Sequence, residues 1–342
     1  MLRSMLVVFW FGSVSILANG QPPAPMALTP EVAERAFDQL WQDMDRNYSY
    51  FDLKQIDWPA LKAKYRPKAQ ACKDVAEFVV VLKEMLAELK DMHIWMDTPT
   101  GRVGVYEIPW ERNWSPPAIR AHLAKFDAIG KLAVVGTLKE GYGFLVFENQ
   151  GAATPELAKL TVEKIEALAD VPGFMVDLRG GATGGNEALA QPIAAAFCAK
   201  PVVYAKQKFR SGPAHNQFGQ VFDRRLQAGA KPFTKPVVVL LGPRVMSSGE
   251  GMAKMFAALP NVTTVGSPTR GASGNPSPVD LKEVGVKVWY SRWVSMLPDG
   301  TPIEGRGVQP KIEAKFPVAE FGAKDPVFEK GLEVLGEKVK KD

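Results

Sequence analysis

The chain has 342 residues, 46% of them hydrophobic, and its 42 Lys and Arg against 37 Asp and Glu leave a formal net charge of +5. That length and apolar content predict a globular protein with a sizeable core, built as one large or two modest domains. The basic residues are scattered apart from the terminal "EKVKKD" and lack interleaved aromatic residues, which argues against a nucleic-acid surface.

The first element is a leader. "MLRSMLVVFWFGSVSILANG" places Arg3 before an apolar stretch from Met5 to Ala18 and ends in Ala18-Asn19-Gly20. The stretch is short for a membrane span and has the three regions of a secretory signal peptide. Residues 1–20 are therefore expected to direct export, to the periplasm or outside the cell, and to be cleaved near Gly20 without stable membrane insertion. An uncleaved anchor is the alternative. After the Pro-rich "QPPAPMALTP", Thr29 as N-cap and Pro30 open a helix over "EVAERAFDQLWQDMDRNY". Helices around "WPALKAKY" and "DVAEFVVVLKEMLAEL" follow, so residues 21–97 are expected to form a helical N-terminal subdomain.

Residues 98–135 read as a connecting segment, with a turn at Pro99 to Gly101 and the aromatic "YEIPWERNW". From 136 to 342, strand and helix alternate. The strands are "KLAVVGTL", "YGFLVFENQ", "GFMVDLRGG", "PVVYAKQKFR", "KPVVVLLGPR" and "VTTVGS", with a hairpin through "KVWYSRWVSMLPDGTPIEG". Helices fall at "ATPELAKLTVEKIEALAD", "NEALAQPIAAAFC" and Ser247 to Pro260. This order predicts an α/β domain with a largely parallel core. Cys72 and Cys198 are compatible with one disulfide or with two buried thiols, and neither has ligand-type spacing to a histidine.

Three features could carry chemistry. Ser247 and Ser248 stand where a buried strand meets a helix, and a helix mouth can hold a negative charge. Serine there is first of all a cap. A nucleophilic serine would instead gain an oxyanion donor from the next N–H. The glycine-rich turn "VDLRGGATGGN", Val176 to Asn186, could supply a second donor or be only a tight connection. No phosphate-loop or dinucleotide pattern is present. Of the three histidines, His215 falls in a loop-like stretch, His122 on a helix face, and His93 just beyond a helix, where a C-terminal cap is its ordinary role.

The blocks "LKDMH", "VDLRGGATGG", "SSGE", "TVGSPTRG" and "PDGTPIEGRGVQP" together resemble peptidase family S41, the tail-specific or C-terminal-processing serine peptidases. The stretch "FDQLWQDMDRNYSYFDLKQIDWPALKAKY" is similar to the branch that holds the tricorn core and interphotoreceptor retinoid-binding proteins. The resemblance runs from about Thr29 to Pro310 and implies a crotonase- or ClpP-like spiral of strand-strand-helix units behind a helical subdomain. It implies no PDZ domain, since none fits between His93 and Asp177. Where the serine/lysine branch has its lysine after "T-x-G", this chain has Ala272, and Lys254 lies two helical turns beyond Ser247. The other branch's histidine and glutamate are present as His93 and Glu304.

By resemblance, then, Ser247 is the nucleophile, His93 the base and Glu304 the group that orients it. The Ser248 N–H and that of Gly184 or Gly185 form the oxyanion hole, while Glu250 and Asp91 are structural. The implied function is an exported serine peptidase acting on peptides or proteins through an acyl-enzyme, without metal or organic cofactor. Two alternatives are a non-catalytic ligand-binding protein on the same scaffold and an esterase using the same triad.

Overall fold

The computed structural model describes residues 26–341, so the expected leader, residues 1–20, lies outside the described residues. Three helices come first: α1 (Pro30–Asn47), α2 (Trp58–Gln70) and α3 (Val75–Ala87). Each starts at a side-chain cap, from Thr29, Asp57 and Asp74 respectively, that accepts an otherwise unpaired N–H. Their apolar faces bury Phe37, Leu40, Trp58, Phe78 and Leu82. The same core takes in Leu281, Val286, Val288 and Tyr290 from much later in the chain, so the helices are closed off by distant strands.

The hairpin β1 (Trp95–Thr98) and β2 (Gly101–Gly104) follows, and then α4 (Pro116–His122), β3 (Leu123–Ile129), β4 (Ala133–Leu138) and β5 (Gly143–Phe147). Next come α5 (Pro155–Glu166), β6 (Phe174–Asp177), α6 (Glu187–Ala195), β7 (Val202–Phe209) and β8 (Phe222–Leu226). The chain continues through β9 (Val237–Leu241), α7 (Ser248–Ala257), β10 (Val262–Gly266), β11 (Pro276–Leu281), β12 (Val286–Ser291) and β13 (Trp293–Met296). It ends with β14 (Ile312–Glu313) and α8 (Pro326–Val339).

The central sheet has the order β14-β10-β9-β6-β5-β4-β3, parallel from β14 to β5 and antiparallel beyond. Because side chains alternate along a strand, both faces of its middle are apolar. Phe147, Val176, Val239 and Leu241 pack towards α5, α6 and α7, while Phe144, Met175, Val238 and Leu240 pack against α8. Two smaller antiparallel sheets, β11-β12-β1-β2 and β13-β7-β8, complete a mixed α/β fold with a helical N-terminal part.

Three local outcomes differ from the sequence reading. The "IRAHLAKF" helix stops at His122 and the chain continues as β3, whose residues are mostly exposed and so carry no alternating pattern. Residues 98–135 thus contain β2, α4, β3 and the start of β4. The expected hairpin over 287–305 is split: β12 pairs with β1 and β11, whereas β13 pairs with β7 in another sheet. The chain changes sheet at Arg292, where the Arg292 and Trp293 N–H groups both donate to the Gly274 carbonyl, at 2.9 and 3.2 Å. Cys72 and Cys198 are buried in separate cores and unpaired.

Candidate active site

Ser247 lies between β9 and α7 with φ 55° and ψ −125°, a backbone conformation that strains a residue with a Cβ. The strain is held by its N–H, which donates to the Ala272 carbonyl at 2.8 Å, and by its carbonyl, which accepts the Glu250 N–H at 2.9 Å. Its hydroxyl makes no capping bond. The bland role of helix cap therefore does not account for this serine. Among the described residues the Ser248 N–H, first in the helix, has no acceptor. Dipole and free donor together leave this helix mouth complementary to negative charge.

The glycine-rich turn rests directly on that mouth. The Met246 N–H donates to the Ala182 carbonyl at 3.2 Å, and a methyl group on Gly249 would stand only 1.8 Å from the same oxygen. Gly184 and Gly185 have φ of 153° and 134°. A methyl group on Gly184 would lie 3.9 Å from the Ser247 Cβ, whereas one on Gly185 would meet the Gln150 carbonyl at 2.9 Å. Gly184 thus stands nearer the serine side chain, and Gly185 turns its carbonyl to accept the Ser248 hydroxyl proton. Neither glycine N–H has an acceptor among the described residues.

The turn is anchored by Arg179, which is buried. It donates to Asp177 at 2.7 Å, to Asp325 at 2.9 Å and to the Asn113 carbonyl at 2.5 Å. Burial opposes its charge, but the two carboxylates outweigh burial and keep the guanidinium protonated. Asp325 also caps α8 through the Phe328 N–H and accepts the Ser115 N–H. "LRGG" attracts notice for its glycines, yet its arginine fastens the turn to the last helix.

His93 stands in the turn between α3 and β1. Asp91 builds that turn, accepting the His93 N–H at 2.8 Å and the Tyr48 hydroxyl at 3.0 Å. The ring is buried, and its Nδ1 accepts the Gly274 N–H at 3.0 Å. It is not a helix cap. With Nδ1 accepting, the neutral ring carries its proton on Nε2. Burial lowers the His93 pKa below the usual histidine value, with Asp91 opposing.

Glu304 is also buried, but its partner is the Lys54 ammonium at 2.7 Å. Lys54 in turn donates to the Lys90 carbonyl at 2.8 Å, beside Asp91. The second Glu304 oxygen, Oε2, has no partner among the described residues. Burial raises the Glu304 pKa well above the usual range, and the Asp91 charge adds to this while Lys54 opposes it. No described hydrogen bond joins Ser247 to His93, or His93 to Glu304. Lys54 lies within the stretch similar to the tricorn branch, but nothing in the sequence pairs it with Glu304.

The remaining titratable groups have other tasks. Glu250 accepts from the Thr269 hydroxyl and from the Gly271 and Ala272 N–H groups, tying α7 to the loop that holds Ser247. Lys254 is buried and donates to the Ser295 hydroxyl at 2.6 Å; desolvation lowers its pKa to about 8. His122 pairs with Glu140 and lies tilted against Phe328, and His215 pairs with Asp45 and stacks on Phe51. Trp114 covers Gly180 from inside, and Trp110 is half-exposed.

Two cavities flank the site. One, of about 840 Å³, contains His93, Met246, Arg270, Trp95 and Trp110. The other, of about 360 Å³, contains Ser247, Ser248, Ser273 and Arg224. No group of three or more His, Cys, Asp or Glu among the described residues could hold a metal ion. No described helix is long and apolar enough to cross a membrane.

Residues 142–314 match the model for peptidase family S41. The chain belongs to peptidase family S41. It is a serine peptidase, and its residues 30–87 match the tricorn protease C1 domain. No curated protein matches this S41 peptidase in sequence. Among solved structures, a candidate peptidase from Parabacteroides merdae is similar at TM-score 0.77 and 21% identity over 90% of this chain and 97% of its own. The photosystem II D1 C-terminal processing protease is similar at 0.57 and 16%, over 89% and 97%. The tricorn protease is similar at 0.60 and 14%, over 91% of this chain and 37% of that one. These likenesses establish the shared fold.

Proposed function

We propose that this S41 peptidase is exported and cleaves peptide bonds through an acyl-enzyme on Ser247, with His93 as base and Glu304 orienting the imidazole. The strained Ser247 backbone carries the reading: strain of this kind at a strand-to-helix turn presents the hydroxyl and the following N–H to one substrate carbonyl. His93 takes the hydroxyl proton as the Oγ–C bond forms, and the Ser248 N–H with that of Gly184 or Gly185 stabilises the oxyanion. His93 then protonates the departing amine as the C–N bond breaks. Water enters, gives its proton to His93, and releases the acid and Ser247.

The resting contacts define what must move. For His93 to accept a proton from Ser247, the ring turns over or the Gly274 N–H releases Nδ1; for Glu304 to reach the ring, it leaves Lys54. Both changes are of the kind that substrate closure accomplishes. The test is labelling of the purified mature chain by a fluorophosphonate, with the modified peptide mapped by mass spectrometry. Modification of Ser247 that disappears in Ser247→Ala and His93→Ala supports the assignment. A well-folded chain that stays unlabelled favours a ligand-binding role for this scaffold. Hydrolysis of esters with no cleavage of any peptide would favour an esterase. Export rests on the leader pattern of residues 1–20, and N-terminal sequencing of the secreted chain tests it.

A further inference from the structure

The two cavities divide the substrate between them once chemistry is assigned. The leaving amine must depart on the side of the group that protonates it, which places it in the His93 cavity. The acyl residue remains bonded to Ser247, so its side chain falls in the smaller cavity. We propose that this cavity, governed by Arg224, selects an acidic side chain on the residue whose carbonyl Ser247 attacks. The inference rests on the Ser247 assignment.

Arg224 is built into the cavity wall rather than draped across it. Its guanidinium lies 4.9 Å from the centre of the Trp293 ring and 5.3 Å from that of Tyr204. One nitrogen, Nη2, pairs with Glu187, whose same oxygen also accepts the Tyr204 hydroxyl at 2.6 Å. The other, Nη1, is buried with no acceptor among the described residues. A buried guanidinium nitrogen without a partner is costly, and an incoming carboxylate relieves that cost.

Glu187 does not cancel the attraction, because it is shared. Buried Lys254 is attracted by Glu187 as well, and by Glu250, so two cations stand among two carboxylates there. Glu250 is already engaged by the Thr269 hydroxyl and two backbone N–H groups. The rest of the lining, Asn186, Ser273 and Asn275, is polar and short. At about 360 Å³ the space is ample for an acidic side chain. An aliphatic residue there would leave Nη1 without an acceptor.

The experiment compares two N-acylated diphenyl phosphonates, the analogues of glutamate and of glutamine, which match in shape and differ in charge. Each rate of Ser247 modification is divided by that with a fluorophosphonate lacking a side chain, so a general change in serine reactivity cancels. In the wild type the glutamate analogue is expected to react roughly tenfold faster than the glutamine analogue, the factor one charge-assisted hydrogen bond provides. Arg224→Gln should bring the ratio to one or below, and Arg224→Lys should restore part of it. Equal wild-type rates, or a preference that survives Arg224→Gln, overturns the inference while leaving Ser247 as nucleophile. A wild type that none of the three reagents modifies overturns the nucleophile assignment, and this inference falls with it.

Discussion

Replacing Arg179 by methionine tests the scaffold of the glycine-rich turn. The side chain is fully buried between Asp177 and Asp325, and methionine roughly keeps its volume while removing the charge. Two buried carboxylates would lose their shared cation, and the Asn113 carbonyl would lose its donor. Removing one partner of a buried pair costs about 3–5 kcal/mol, roughly a fifth or more of the stability of an ordinary domain. For a chain of this size that lowers the melting temperature by on the order of ten degrees. The assay is urea unfolding of wild type, Arg179→Met and the double variant Arg179→Met/Asp325→Asn. Asparagine keeps the cap on α8 and removes one stranded charge, so the double variant should recover part of the loss. A single-variant cost under about 1 kcal/mol, the range of exposed ion pairs, would refute the view that this arginine holds the turn.

Three other outcomes are expected. Gly249→Ala drives a methyl group into the Ala182 carbonyl, so it should destabilise by at least 1–3 kcal/mol as an approximate overpacking cost and slow fluorophosphonate labelling; wild-type behaviour in both would show that the turn is free of the helix. The labelling rate should rise with pH through an inflection below the ordinary histidine value of 6.5, because burial favours neutral His93; an inflection above it would remove His93 as the base. Lys254 titrates at about 8 folded against 10.5 unfolded, so the unfolded chain holds the extra proton between those values and stability rises with pH across that window. The rise is at most about 3 kcal/mol, and in denaturant titrations at several pH values it should vanish in Lys254→Met.

The legible parts of this fold were those dictated locally. "VVVLL" is apolar at every position because β9 is buried on both faces, and Thr29 announces a helix start whose N–H group it satisfies. β3 escaped notice because exposed residues fill its middle. The split of β12 from β13 escaped because the crossing depends on Gly274, where a methyl group would stand 1.9 Å from the Ser291 hydroxyl oxygen. At the site, Ser247 and the glycine turn stood out as a strand-to-helix pair, and His93 and Glu304 entered through resemblance. Lys54 and Arg224 did not, because a lysine on Glu304 or an arginine between two rings is fixed by chain segments that meet only in three dimensions.

The pairing of β1 with β12 sets when this enzyme can exist. Trp95 stands opposite Trp289, and His93 receives its ring contact from Gly274, so the His93 turn remains half-made until residues 274–291 are available. During synthesis the chain elongates from its N-terminus, and contacts spanning this much sequence are among the slowest to form. A nascent or truncated chain lacking the last quarter would carry histidine but not the strands that seat it. With His93 as the proposed base, proteolytic competence would wait until most of the polypeptide had been made, a timing that arises from strand order.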